Sequence, residues 1–137
     1  MFPTLFTDVL PYFEFYEGKD GTQDKLCRVY FTKAMRVNKD KMRKTYDCDN
    51  DEAKSIKICN AKKGTKIAVF DDPNYRASKD DWSEVTVTKD MGNKCSTIKE
   101  FEFSGYSADD GILKIDYKTT GNLNGKVSSF TIMPGKN

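Results

Sequence analysis

The side chains able to do chemistry in this chain of 137 residues are carboxylates, hydroxyls, cysteines and cations, because histidine is absent. Without an imidazole there is no Ser/His or Cys/His nucleophile pair, no imidazole-ligated zinc and no histidine pH switch. Carboxylate chemistry, oxygen-ligated metals and binding without chemistry remain. Three groupings stand out. Asn50-Asp51-Glu52 gathers oxygen donors in a polar turn; Asp71-Asp72 and Asp80-Asp81 bracket residues 73–79; and residues 33–44 carry six cations, Lys33, Arg36, Lys39, Lys41, Arg43 and Lys44, against the single acid Asp40.

The paired carboxylates have the residue types of a glycoside hydrolase. With Arg76 and Lys79 beside them they read more simply as a charged hairpin, and a small carbohydrate hydrolase ranks last among the functions considered. The lone tryptophan, Trp82, reads as a packing residue over that hairpin rather than a sugar platform. The cationic run has no interleaved aromatics, so it suits a solvated ridge, or a surface for anions or a partner, better than a nucleic-acid platform. A net charge of +2 adds no whole-molecule field that would call for nucleic acid. The partner expected is a protein or a cell surface, of unknown identity.

Four cysteines, Cys27, Cys48, Cys59 and Cys95, fall at intervals of 21, 11 and 36 with no C-x-x-C pair, which disfavours a thiolate metal site. An even number in a small chain suits one or two disulfides and a secreted life, with four free buried thiols in a cytoplasmic protein as the alternative, and the three ways of pairing four cysteines stay open. The N-terminal segment lacks a basic, continuously apolar leader, and no stretch approaches the ~20 apolar residues of a membrane span. We therefore expect a secreted, mature form with no membrane span.

The elements that must position these groups are strands. Runs rich in β-branched and aromatic residues recur at 12–16, 26–31, 55–58, 66–70, 84–88, 98–103, 112–117 and 129–132, separated by Gly, Asn, Asp and Pro turn signals. No window carries a sustained helical repeat, and residues 39–46 have room for one helical turn. Nine Phe, seven Tyr and one Trp speak against disorder despite 32% charged residues. The expectation is one all-β domain over 1–137, a two-sheet sandwich.

Internal similarity refines this. Asn50-Asp51-Glu52-Ala53-Lys54-Ser55-Ile56-Lys57-Ile58 aligns without gaps to Asn124-Gly125-Lys126-Val127-Ser128-Ser129-Phe130-Thr131-Ile132. Upstream, Phe15-Tyr16-Glu17 with Gly18 and Gly21 is echoed by Phe70-Asp71-Asp72-Pro73-Asn74-Tyr75. An aromatic-acid hairpin, a strand and a polar turn ending in Ser resembles the Greek-key motif of the βγ-crystallin family. The resemblance spans two motifs, about 11–59 and 65–133, with residues 90–120 read as an insertion carrying an extra hairpin. It implies a Greek-key sandwich of the βγ-crystallin type. The chain departs from the family at Ala77, where a glycine is usual.

In microbial members of that family the polar turns bind calcium, a hard cation that takes six to eight oxygens. The resemblance implies one intact site, from Asn50, Asp51 and Glu52 with the hydroxyl of Ser128. The reciprocal site would draw on Asn124-Gly125-Lys126 and Lys54, where a glycine and an ammonium disable it. At most one calcium, weakly held, is expected. The plainer alternative is that these residues simply form turns, with Ser55 and Ser129 bonding backbone across the hairpins. Function is then expected to be non-enzymatic and exerted through the surface, with a secreted protease inhibitor or an antimicrobial or killer-type toxin on the same fold as the alternative.

Overall fold

The computed structural model describes residues 10–48, 52–76, 81–107, 110–118 and 123–135. Their order is β1 (Tyr12–Tyr16), β2 (Lys25–Tyr30), β3 (Met35–Val37), α1 (Lys39–Lys44), β4 (Ser55–Cys59), β5 (Lys66–Phe70), β6 (Trp82–Val87), β7 (Cys95–Thr97), β8 (Gly105–Tyr106), β9 (Leu113–Tyr117) and β10 (Ser129–Met133). The strands form two antiparallel sheets, four-stranded β2-β1-β4-β7 and six-stranded β3-β10-β5-β6-β9-β8. The protein is all-β with almost no helix. Asn38 caps α1 by accepting the Lys41 amide at 2.9 Å, and Met42 anchors the helix to the core.

Each half of the chain lends a strand to the other. β3 lies between β2 and β4 in sequence but pairs with β10; β7 lies between β6 and β10 but pairs with β4. The registers repeat as well. Tyr12 opposes Cys59 and Tyr16 opposes Ser55 in the first sheet, just as Lys66 opposes Met133 and Phe70 opposes Ser129 in the second.

Strand alternation sends Phe13 and Phe15 inward, with Ile56 and Ile58, against Ile67, Val69, Phe130 and Ile132 from the other sheet. Phe130 stands edge-on to Phe13, with centroids 5.3 Å apart and planes at 90°, and also contacts Phe15 at 5.7 Å. Such edge contacts add about 1 kcal/mol beyond burial.

The disulfides are Cys27–Cys48 and Cys59–Cys95. The first ties β2 to the segment after α1. The second joins opposed residues of β4 and β7 and so links the two halves.

The expected strand at 98–103 is not one. The strand lies earlier, at β7, and Ile98 and Phe101 are instead fully buried plugs between turns. The acids between and after them are taken up elsewhere, as described below, which breaks the alternation a strand would need. Residues 90–120 thus contain β7, which completes the first sheet, and the β8–β9 hairpin, which widens the second.

Candidate functional site

The two polar turns and the two hairpins come together through serines. The Ser55 hydroxyl donates to the Gly18 carbonyl at 2.6 Å and accepts the Gly21 amide at 2.9 Å, fastening the turn after β1. The Ser129 hydroxyl donates to the Asp72 carbonyl at 2.5 Å and accepts the Tyr75 amide at 2.8 Å, fastening the turn after β5. Both serines are fully buried. The preceding amides match too: Lys54 donates to the Tyr16 carbonyl and Ser128 to the Phe70 carbonyl. The backbone bonding expected of these serines is what they do.

Of the residues implied for calcium, Asn50 and Asp51 lie outside the described residues, while Glu52 is exposed and Ser128 is nearly buried. The Ser128 hydroxyl donates to the Lys126 carbonyl at 3.3 Å. The polar turns approach each other where the Gly125 amide donates to the Ala53 carbonyl at 2.8 Å. A hydrogen bond with the neighbouring Glu52 carboxyl raises the pKa of Glu17, with further contributions from desolvation and the charge of Asp24. Two carboxyls this close repel when both are ionised, and a cation would relieve that repulsion.

The second turn is differently occupied. Glu102 accepts the Leu123 and Asn124 amides at 2.8 and 2.7 Å, and the Asn124 side chain accepts the Phe101 amide and donates to Glu100. The loop before β8 therefore uses the polar side chain that this turn would offer a ligand.

Asp72 is committed to its own hairpin. Nearly buried, it receives the Asn74 and Arg76 amides and a two-pronged contact from the Arg76 guanidinium at 3.0 and 3.1 Å. The Arg76 hydrogen bond holds its carboxyl below the usual range. Asp80 lies outside the described residues. Trp82 is half-buried, stacked on Phe70 at 5.5 Å, with the Lys118 ammonium 5.4 Å from its ring.

The cationic run occupies β3 and α1 and the turn before them. Lys33, Arg36, Lys41, Arg43 and Lys44 are exposed and Lys39 is half-buried. None of the six joins the ion pairs formed among the described residues.

Two polar clusters escape sequence reasoning. On the outer face of the first sheet, Glu14 is 2% exposed and receives Arg28 at 2.6 Å and the Tyr16 hydroxyl at 2.6 Å, while Arg28 lies over Tyr12. Burial alone would raise the Glu14 pKa, but Tyr16, Arg28 and Lys25 together hold it down, and burial beside Glu14 pushes Tyr16 up to about 12. The available signal was the acid at the centre of an alternating strand, opposite Arg28. Near β8, Asp110 accepts the hydroxyls of Ser96 and Ser107, each at 2.9 Å, and fastens the added hairpin to β7. No protein-family model, curated protein or solved structure matches the chain.

Proposed function

We propose that the chain is a secreted, non-enzymatic βγ-crystallin-type module, two Greek keys with a hairpin added to the second, that acts through its surface and holds at most one calcium ion weakly. The observation that carries this reading is the repeated serine tie: two hairpins, each fastened by a buried hydroxyl at the start of a strand in the same register, in halves that exchange a strand. That arrangement accounts for the sequence repeat on which the resemblance rests. Calcium would lie at Asn50, Asp51 and Glu52, with the Ser128 hydroxyl as a fourth protein ligand.

The test is calorimetric titration of a chelator-stripped sample with calcium, beside Asp51→Ala. The expected result is binding in the micromolar-to-millimolar range, lost in the variant. Absence of heat in the parent protein would remove calcium from the proposal.

A second reading is favoured by the absence of free cysteines and by the cations of 33–44, none of which joins an ion pair among the described residues. It is a disulfide-stapled inhibitor or toxin on the same scaffold. Inhibition of a protease panel, or killing of test cells, by the oxidised but not the reduced protein would select it.

A further inference from the structure

We propose that the outer edge of β3, the groove beside it and the cations that follow are the docking site for an extended, acidic segment of a partner protein. The inference rests on the surface-acting reading above and supplies the place and chemistry of the contact. β3 is one of the two outer strands of the six-stranded sheet and, among the described residues, pairs on one side only, with β10. Such an edge keeps backbone donors and acceptors that can take up another extended chain. An open groove lies where β3 meets its paired neighbour β10, lined by Ala34, Met35, Tyr75, Ile132 and Met133, together with Arg36 and Thr131. Met133 leaves 60% of its surface exposed there.

Charge selects the partner. Lys33 and Arg36 flank the edge, and Lys39, Lys41, Arg43 and Lys44 continue it along α1. None of the six joins the ion pairs formed among the described residues, which is equally true of lysines elsewhere such as Lys62, Lys63 and Lys114; what sets the six apart is their succession along one edge. The acids on the same stretch are Asp40 and Asp47, both exposed. Asp72 approaches through the Lys39 amide, which donates to the Pro73 carbonyl at 2.9 Å, but its carboxylate is already satisfied by Arg76. Cations along an edge strand repel a second copy presenting the same edge and attract carboxylates. The apolar groove and the backbone edge suit a peptide alternating acidic and apolar residues. A stiff polyanion would engage only the cations.

The experiment titrates the full oxidised chain, 15N-labelled, with a synthetic peptide alternating Glu with Val and Phe, with the same peptide carrying Lys for Glu, and with heparin. The Glu peptide is expected to shift the amide signals of 34–37 and 131–133 and to bind at least about tenfold more tightly than the Lys peptide. Lys33→Glu combined with Arg36→Glu should weaken it at least about tenfold, while Lys114→Glu on β9 should not. No binding of the Glu peptide below millimolar concentration, unchanged affinity in the double variant, or a response to heparin alone would overturn the assignment. Slow exchange of the Gly21 and Tyr75 amides reports the scaffold separately. Peptide binding without that protection would overturn the scaffold reading and leave the docking site standing; protection without peptide binding would overturn the docking site alone.

Discussion

The turns after β1 and β5 are fastened by the same atoms and built from different residues. Ser55 and Ser129 each bridge a carbonyl and the amide three residues beyond it, but that second position is Gly21 in one turn and Tyr75 in the other. Both sit in the left-handed region, at φ 67 and φ 47. Glycine takes that conformation freely, whereas a bulky side chain there costs about 1–2 kcal/mol. The second turn compensates with Pro73 and with the Asp72–Arg76 clasp. The first places two further non-glycine residues in the same region, Asp20 at φ 57 and Gln23 at φ 61, and closes by backbone bonds from Glu17 to Asp24 and from Gly18 to Thr22. A shared tie therefore permits different turn chemistry, provided something local holds the less suitable residue in place. The departure from the family expected at Ala77 falls outside the described residues; among those described, the non-glycine left-handed residue in this hairpin is Tyr75.

The largest effect should come from the links that hold the halves together. Replacing Cys59 and Cys95 by alanine should destabilise the protein by about 3–4 kcal/mol in denaturant unfolding, since the bond closes a span of 36 residues. Losing Cys27–Cys48, which lies within the first half and spans 21, should cost slightly less.

Next come the ties. Ser55→Ala and Ser129→Ala each leave a buried carbonyl and an amide without their partner, for a loss of about 1–3 kcal/mol. Each should loosen mainly its own turn, and equal loosening of both turns by either variant would break the comparison.

Smaller still, Tyr75→Gly should recover about 1 kcal/mol of backbone strain, less whatever packing the ring supplies. The reverse kind of change, Gly21→Ala, should destabilise, because the new Cβ would meet the Thr97 methyl at 3.0 Å in an unfavourable backbone region.

The smallest expected effect is of pH, with opposite sign in the two turns. The folded pKa of Asp72 is depressed, so its contribution is complete above the unfolded value of about 3.9 and is lost as pH falls through the folded value. Glu17 is raised, so its contribution is complete below the unfolded value of about 4.3 and is lost as pH rises through the folded one. Acid should therefore loosen the second turn and leave the first. Exchange rates of the two turns measured from pH 3 to 7 would show it, and parallel behaviour would contradict it.

Much of the sandwich is legible locally, because alternating runs such as 12–16 and 66–70 declare both the strand and the face it buries. The serine ties are legible because Ser55 and Ser129 repeat after matching polar turns. What the sequence hides is set by distance along the chain. Cysteine spacing does not choose between pairings, since β7 reaches Cys59 only after crossing to the other sheet. Residues 98–103 alternate like a strand, yet Glu102 is drawn away to cap the amides of residues 123–124, and no local pattern records that. Glu14 reads as an ordinary solvent-facing residue until Arg28 and Tyr16 close over it. The basic run is visible in the sequence, but its position at a free sheet edge beside a groove depends on the strand exchange.

The most direct measurement of the central claim is native-state amide exchange at Gly21 and Tyr75 in the parent protein, Ser55→Ala and Ser129→Ala. Both amides should exchange slowly in the parent, with Ser55→Ala releasing Gly21 alone and Ser129→Ala releasing Tyr75 alone. Rapid exchange of both amides in the parent protein would contradict the paired, serine-tied architecture.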